Sequence, residues 1–299
     1  KVFFCNSGAE ANEAAIKLAR KYGNEVLGKG CNEIVSMKQS FHGRTLATIA
    51  ATGQEKVQKG FDPLPGGFTY APFNDLVALE KALTNRTCAV LLEPIQGEGG
   101  VRIPDAGYLS AVRQCCRERG ILLIFDEVQV GMGRTGRLFA HEHDGVTPDV
   151  MTLAKALGNG MPVGAMIASD RIAATFTPGS HASTFGGNPL AMAAAHATLE
   201  VILSEGFLSS VEEKGRYLLD RLRQLMVRFG SIREVRGKGL IVGVEMDGDV
   251  GIVVRRCMDK GLLVAMAGPS VLRFVPPLVV TMEEIDQAIA ILNDVLEGL

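Results

Sequence analysis

Two residues of this sequence, an aspartate and a lysine, have the types and surroundings needed to hold a charged aromatic cofactor. Asp126 closes the unbroken apolar run ILLIF at 121–125, and Lys155 lies in TLAKALGNG, between an apolar segment and a glycine-rich turn. A carboxylate at the end of a buried strand is costly to desolvate unless a cation meets it. A pyridinium nitrogen is such a cation, and a lysine amine is the group that bonds to an aldehyde cofactor. The pair therefore predicts a pyridoxal phosphate (PLP) site.

A structural interpretation of the same two residues stays open at this point. Asp126 could cap a turn or form an ordinary ion pair, and Lys155 could be a surface lysine. Taken singly, each residue fits that interpretation better, because most polar residues at strand ends have structural roles.

The segment CNSGAEANEAAIKLARKY predicts a helix near the amino terminus. Apolar residues recur at helical spacing from Ala11 onward, and Ser7 with Glu10 fits the capping box S-x-x-E. The segment could be simply a well-capped helix. Alternatively, Gly8 lets a phosphate approach the free N–H groups of the first turn. The sequence contains no G-x-x-x-x-G-K-[ST], so a single cofactor phosphate fits better than a nucleoside triphosphate.

Composition narrows the classes of partner. The net charge is -2 and charged residues make up 21% of the chain, so nothing indicates nucleic acid or an anionic membrane. The six cysteines include no C-x-x-C pair and stand beside no His cluster, which favours reduced thiols over disulfides or a metal site. No apolar stretch approaches the roughly 20 residues of a membrane span. We expect a cytoplasmic protein whose partners are small molecules and other protein chains.

Short apolar runs alternate with stretches of helical periodicity such as 105–119. The runs lie at 2–4, 33–37, 88–92, 121–125, 149–154 and 163–168. This alternation predicts an α/β fold, with a mostly parallel sheet flanked by helices. Ligands of such sheets bind beyond the carboxyl ends of the strands.

The character of the chain changes after about residue 205. A long amphipathic helix at about 206–229 leads into short apolar segments and a final helix, which together indicate a small α/β domain. We predict a large domain at 1–205 and a small one at 206–299. Lys1 leads straight into an apolar strand, so we expect that an amino-terminal part of the large domain is missing and that the 299-residue piece alone is less stable and less active.

Seven segments, in order, resemble the class III (subgroup II) PLP-dependent aminotransferases. They are CNSGAEANEAAIKLAR, FHGRT, EPIQGEGG, IFDEVQVGMGRTG, TLAKALGNGMPVGAM, STFGGNPLAMAAA and RFVPPL. The match covers nearly the whole chain and implies the fold type I of PLP-dependent transferases. The segment FHGRT resembles the acetylornithine branch of the family, whereas the ornithine δ-aminotransferases have FWGRT at this place.

The resemblance implies roles for residues around the cofactor. Lys155 would hold PLP covalently and move a proton between the substrate and the cofactor, while Asp126 would keep the ring nitrogen protonated. If the strand continues through Asp126, alternation places Val128 on the same face, beneath the ring. The other implied contacts are Phe41 on the opposite ring face, Gln129 on the phenolic oxygen, and Ser7 with the backbone amides of Gly8 and Ala9 on the phosphate.

Further roles implied by the resemblance concern a second subunit and the substrate. Thr184 would reach the phosphate of the neighbouring subunit in a homodimer, and Ser183 would lie near the substrate. Arg273 would bind the α-carboxylate of the 2-oxo acid and be masked by Glu98 while the amine donor is bound, and Arg44 would bind the remote carboxylate. Without the resemblance, turn or cap chemistry fits Ser183 and Thr184 better. A solvated loop carboxylate then fits Glu98, and a surface arginine on an edge strand fits Arg273, as well as the functional roles do.

The expected function is a transaminase that passes the terminal amino group of N-acetylornithine, or of a close ω-amino analogue, to 2-oxoglutarate in arginine biosynthesis. Alternatives within the class are ornithine, succinylornithine and 4-aminobutyrate as donors. Two further alternatives are an aminomutase or decarboxylase of the same fold, which FHGRT and the pair of Glu98 and Arg273 speak against, and a non-catalytic PLP-binding protein, which the retained Lys155 speaks against.

Overall fold

A seven-stranded sheet organises most of the first two hundred residues in the computed structural model, which describes residues 1–299. Its strand order is β1-β7-β6-β5-β4-β2-β3. Strand β7 is antiparallel to both of its neighbours, and the other six strands share one direction. The expected mostly parallel sheet is confirmed. The strands are β1 (Val2–Cys5), β2 (Glu33–Met37), β3 (Phe68–Ala71), β4 (Thr87–Leu92), β5 (Leu122–Asp126), β6 (Val150–Leu153) and β7 (Gly164–Ala168).

Both faces of this sheet are covered by helices, which explains the unbroken apolar strands. Strand β4 is buried at every position, as is β5. Alternate residues pack into two clusters: Leu91 and Ile124 pack with the helix that follows β1, and Val90 and Leu123 pack with the helix that precedes β5. A strand enclosed on both faces needs side chains that tolerate burial on each, so it shows no apolar-polar alternation.

Ten α-helices accompany the strands. They are α1 (Gly8–Tyr22), α2 (Leu46–Ala51), α3 (Glu55–Gln58), α4 (Leu76–Ala82), α5 (Tyr108–Arg119), α6 (Asp170–Ala173), α7 (Pro189–Ile202), α8 (Phe207–Arg228), α9 (Gly251–Asp259) and α10 (Met282–Glu297). Helix α5 lies within the predicted 105–119, and α8 lies within the predicted 206–229.

The chain divides into two compact units. Unit 1 consists of Lys1–Pro94, Pro104–Met132 and His141–Val201, and unit 2 consists of Ile95–Ile103, Gly133–Ala140 and Ile202–Leu299. Two short segments from the first half of the chain therefore belong to the same unit as the carboxyl-terminal part. A single domain boundary in the sequence cannot describe this division. The expected domains, 1–205 and 206–299, stay a prediction.

Unit 2 is built on a four-stranded antiparallel sheet of order β10-β11-β9-β8. Its strands are β8 (Ile232–Lys238), β9 (Ile241–Met246), β10 (Ala265–Met266) and β11 (Val271–Phe274). Val242, Val244 and Leu272 pack with residues of α8, α9 and α10 in one apolar cluster, so the helices cover one face of this sheet.

No single helix is both long enough and apolar enough to cross a membrane; α7 and α8 reach that length and composition only when counted together.

Candidate functional site

A cavity of about 460 Å³ in unit 1 is formed by segments that directly follow the parallel strands. Its lining includes residues after β1, β2, β4, β5 and β6, together with Gly160–Val163, which leads into the antiparallel strand β7. The carboxyl ends of parallel strands lie at the same edge of a sheet, and the amino end of an antiparallel neighbour lies at that edge too. The cavity therefore lies where the strand order predicts a ligand site.

Asp126 lies on the wall of this cavity with only 3% of its surface exposed. Its Oδ2 accepts a hydrogen bond from Asn12 Nδ2 at 2.7 Å and lies 2.8 Å from His42 Nδ1, while its Oδ1 accepts from the backbone N–H of Val128 at 3.0 Å. An amide, an imidazole and a backbone group thus share the carboxylate. A pyridinium nitrogen against Asp126 stays a prediction.

The two side chains that hold Asp126 are themselves held. Asn12 Nδ2 also donates to the backbone oxygen of His42 at 2.7 Å, and Asn12 Oδ1 accepts from the hydroxyl of Thr152 at 2.8 Å. His42 Nε2 lies 3.2 Å from the hydroxyl of Ser36. All of these side chains are buried. A satisfied polar network of this kind fixes the direction in which the carboxylate points.

Sequence reasoning overlooked Asn12 and His42. Asn12 stands three and seven residues before Ala15 and Ala19, both of which are fully buried, so it lies on the apolar face of α1. A polar side chain on a buried helix face requires a partner, and that was the available signal. His42 gave a weaker signal, because its partners are brought to it only by the fold.

The strand that carries Asp126 does not continue beyond it, which corrects the argument made for Val128. Strand β5 ends at Asp126, and the following residues form a turn. Val128 nevertheless lines the cavity, because the turn folds back and its N–H bonds the aspartate carboxylate. Glu127 is directed to His141, whose backbone N–H donates to Glu127 Oε1 at 2.9 Å.

The first turn of α1 forms another wall. Ser7 caps the helix by accepting a hydrogen bond from the Glu10 N–H at 3.2 Å. The expected capping box also requires the Glu10 carboxylate to accept from the Ser7 N–H, and that part of the prediction is wrong. The carboxylate accepts from the Asn6 N–H at 2.7 Å instead. A Cβ on Gly8 would lie 2.7 Å from Val128 Cγ1, so only glycine fits between the helix and the turn. Gly8 therefore lets the first turn of α1 pack closely against the turn after β5, and both line the cavity.

Lys155 lies at the cavity in a strained backbone conformation. It lies two residues after the end of β6 and has φ of 45°, in the left-handed region that non-glycine residues rarely adopt. Such strain persists only when the surroundings enforce it, and it is concentrated at functional sites. Asp126 and Lys155, 29 residues apart in sequence by their numbering, thus line one cavity.

Thiol chemistry is disfavoured beside this cavity. Burial raises the pKa of Cys5 to about 11, which outweighs the lowering effect of its hydrogen bond with the Ser7 backbone. A thiol with that pKa stays protonated at neutral pH and is a poor nucleophile. Lys155 is the better candidate for covalent chemistry.

The remaining candidates in unit 1 lie in different places. Phe41 and Gln129 line the cavity with Asp126. Arg44 lies over the ring of Phe41, with its guanidinium carbon 5.3 Å from the ring centroid. Ser183 and Thr184 line a separate, smaller cavity, where the Ser183 hydroxyl accepts from Asn6 Nδ2 at 3.2 Å.

Glu98 and Arg273 form an ion pair within unit 2. Arg273 Nη1 donates to Glu98 Oε1 at 2.8 Å, although the two residues are 175 positions apart. Strand β11, which carries Arg273, lies between β9 and β10. The alternative of a surface arginine on an edge strand is therefore wrong, and the Arg273 side chain is only 11% exposed.

Comparison with known proteins gives consistent results. The model of the family "Aminotransferase class-III" matches residues 1–296. The acetylornithine aminotransferase of Methanocaldococcus jannaschii is 52% identical over 99% of this chain and 74% of its own length, and that of Caldanaerobacter subterraneus is 54% identical over 100% and 76%.

Solved structures agree. The N-acetylornithine aminotransferase of Stenotrophomonas maltophilia is 41% identical with a TM-score of 0.86, covering 100% of this chain and 75% of that one. The ornithine aminotransferase of Toxoplasma gondii is 38% identical with a TM-score of 0.95, covering 100% and 73%. The chain belongs to the class III aminotransferases, a PLP-dependent family of transaminases.

Proposed function

We propose that this protein transfers the terminal amino group of N-acetylornithine to 2-oxoglutarate, giving the semialdehyde and glutamate, as a cytoplasmic homodimer in arginine biosynthesis. The observation that carries the proposal is the meeting of Asp126, Lys155 and the first turn of α1 around one cavity. The choice of donor is supported by curated acetylornithine aminotransferases that are 49 to 54% identical to this chain.

The residues around the cavity fit PLP. The first turn of α1 lines the cavity at Ser7, Gly8 and Ala9, and the buried Asp126 carboxylate, held by Asn12 and His42, lines it as well. When bound, PLP supplies an electron-withdrawing ring that stabilises a carbanion at the carbon bearing the transferred nitrogen.

Asp126 would hold a proton on the ring nitrogen. Opposite unit charges about 4 Å apart attract by about 4 kcal/mol at an effective dielectric constant of about 20, before desolvation is subtracted. Asn12 and His42 would keep the carboxylate oriented without competing for the whole of it, since Oδ1 is bonded only through the turn backbone at Val128.

Lys155 would hold the cofactor covalently and then, once released by the substrate, serve as the base that moves the proton between the substrate carbon and the cofactor. Val128 and Phe41 would enclose the ring, and Gln129 would bond its phenolic oxygen. Ser7, Gly8 and Ala9 would bind the phosphate at the amino end of α1, with Thr184 contributed by the second subunit.

The substrate residues would serve two charge patterns. An ω-amino donor has no carboxylate beside the reacting carbon, whereas 2-oxoglutarate has one. The Glu98 carboxylate would neutralise Arg273 during the first half-reaction and release it during the second. Arg44 would bind the remote carboxylate, and Ser183 would lie close to the substrate.

The donor assignment predicts the order of rates in a panel of amines. In the first half-reaction, N-acetylornithine should react at least about tenfold faster than ornithine, succinylornithine or 4-aminobutyrate, a difference of about 1.4 kcal/mol in the barrier. Stopped-flow absorbance of the bound cofactor measures each rate, with Lys155→Ala as the inactive control. A faster reaction with any of the other three donors would reassign the substrate.

The support of Asp126 predicts different effects for two substitutions of His42. His42→Leu removes the group 2.8 Å from Asp126 Oδ2 and should lower kcat by about tenfold or more, since a hydrogen bond to a charged group contributes about 1.5–3 kcal/mol. His42→Asn can place an amide nitrogen near the position of Nδ1 and should recover much of the rate. Equal rates in the two variants would show that the contact with Asp126 is unimportant.

The masking of Arg273 predicts an unequal effect of Glu98→Ala. Without the carboxylate, Arg273 keeps an uncompensated charge beside an amine donor, so the donor half-reaction should slow by about tenfold more than the 2-oxoglutarate half-reaction. Single-turnover kinetics of the two halves measure the ratio. Equal slowing of both halves would rule out masking.

A further inference from the structure

The loop that carries Glu98 is a closed and strained turn. We call residues 96–102 the Glu98 loop. Gln96 and Arg102 exchange two backbone hydrogen bonds, each of 3.0 Å, which join the ends of the loop. Val101 is fully buried and has φ of 50°, which a β-branched residue adopts at a cost. A loop in this state needs contacts outside itself to keep its shape.

Those contacts come from one row of residues across the sheet of unit 2. The strand register pairs Arg236 of β8 with Gly243 of β9, and pairs Gly243 with Arg273 of β11. Directly paired residues project from the same face of an antiparallel sheet. The flanking residues Val242 and Leu272 pack with the helices, so this row lies on the opposite face.

Arg236 ties the backbone of the Glu98 loop to the sheet. Its Nη2 donates to Gly100 O at 2.7 Å, and its Nε donates to Gly100 O and Val101 O at 3.1 Å each. Its Nη1 donates to the carboxylates of Glu234 and Glu245. The side chain is almost fully buried beside these two carboxylates, one of which, Glu245, also pairs with Arg102. One guanidinium therefore connects two strands to two consecutive carbonyls of the loop.

Gly243 provides the space in which Val101 lies. A Cβ on Gly243 would be 2.9 Å from Val101 Cβ and 3.2 Å from Val101 Cγ2. The loop thus lies over the middle of the row, between Arg236 on β8 and Arg273 on β11. On the Arg273 side, its next contact is the ion pair with Glu98.

We propose that Arg236 and Gly243 are positioning residues that fix the backbone of the Glu98 loop, so that masking and release of Arg273 require only rotation of the Glu98 side chain. The inference rests on the proposed role of Glu98 in the two half-reactions. It assigns discrimination between amine donor and 2-oxo acid partly to residues that contact neither substrate.

Two substitutions and a matched control test this inference in the PLP-loaded protein. Arg236→Met removes the donors to Gly100 and Val101, and Gly243→Ala displaces Val101 while leaving every charge in place. Amide hydrogen exchange within 96–102 should rise by about tenfold or more in Arg236→Met, and the ratio of half-reaction rates should shift in the direction of Glu98→Ala in both variants. Arg233→Met, which removes an exposed arginine of the same strand paired with Asp247, should change neither quantity.

The outcomes separate the two proposals. Suppose that Glu98→Ala changes the ratio of half-reaction rates but that Arg236→Met and Gly243→Ala leave it unchanged. That result would overturn the positioning role. If Glu98→Ala itself leaves the ratio unchanged, the proposed role of Glu98 fails. Exchange within 96–102 then decides by itself whether Arg236 fixes the loop, and unchanged exchange overturns the inference. Should Arg236→Met fail to fold, Gly243→Ala and Arg236→Lys supply the same comparison.

Discussion

The carboxylate of Asp126 imposes the main constraint on this structure, because a charge that is 97% removed from solvent must be matched by donors from the surrounding elements. It obtains them from α1, from the segment after β2 and from the turn after β5. Asn12 thereby fixes α1 over the end of β5. Gly8 lies four residues earlier, about 6 Å along the helix axis at a rise of about 1.5 Å per residue. The contact of Asn12 with Asp126 therefore also sets how far the first turn of α1 lies from the carboxylate.

Unit 2 contains a second charged group that needs a partner, the guanidinium of Arg273. Under the proposed function, Arg273 would be available to one substrate and hidden from the other, and the Glu98 ion pair would serve that need only if the carboxylate stays close to a fixed position. Arg236 and the space above Gly243 hold the backbone from which Glu98 projects. Each unit also contains one residue in the left-handed region beside its charged group: Lys155 lines the same cavity as Asp126, and Val101 lies in the same loop as Glu98.

Sequence reasoning succeeded where one local property determined the structure. Strands such as β4 and β5 are buried on both faces, so their apolar runs were unmistakable. Strand β3, at the edge of the sheet, is only partly buried and was missed, because four residues of mixed exposure carry little signal. The contacts of Asp126 with Asn12 and His42 join residues 114 and 84 positions apart, so no local pattern could reveal them. Val128 was expected at the cavity for a wrong reason, since a turn and not a continuing strand brings it there.

Nitrogen-15 NMR of protein loaded with ring-labelled cofactor measures whether Asp126 keeps the ring nitrogen of PLP protonated. We expect the chemical shift of a protonated pyridine nitrogen at neutral pH, and loss of that protonated signal in Asp126→Asn protein that still binds PLP. An unprotonated nitrogen in the unsubstituted protein, or the same protonated signal in both proteins, would show that Asp126 does not hold this proton.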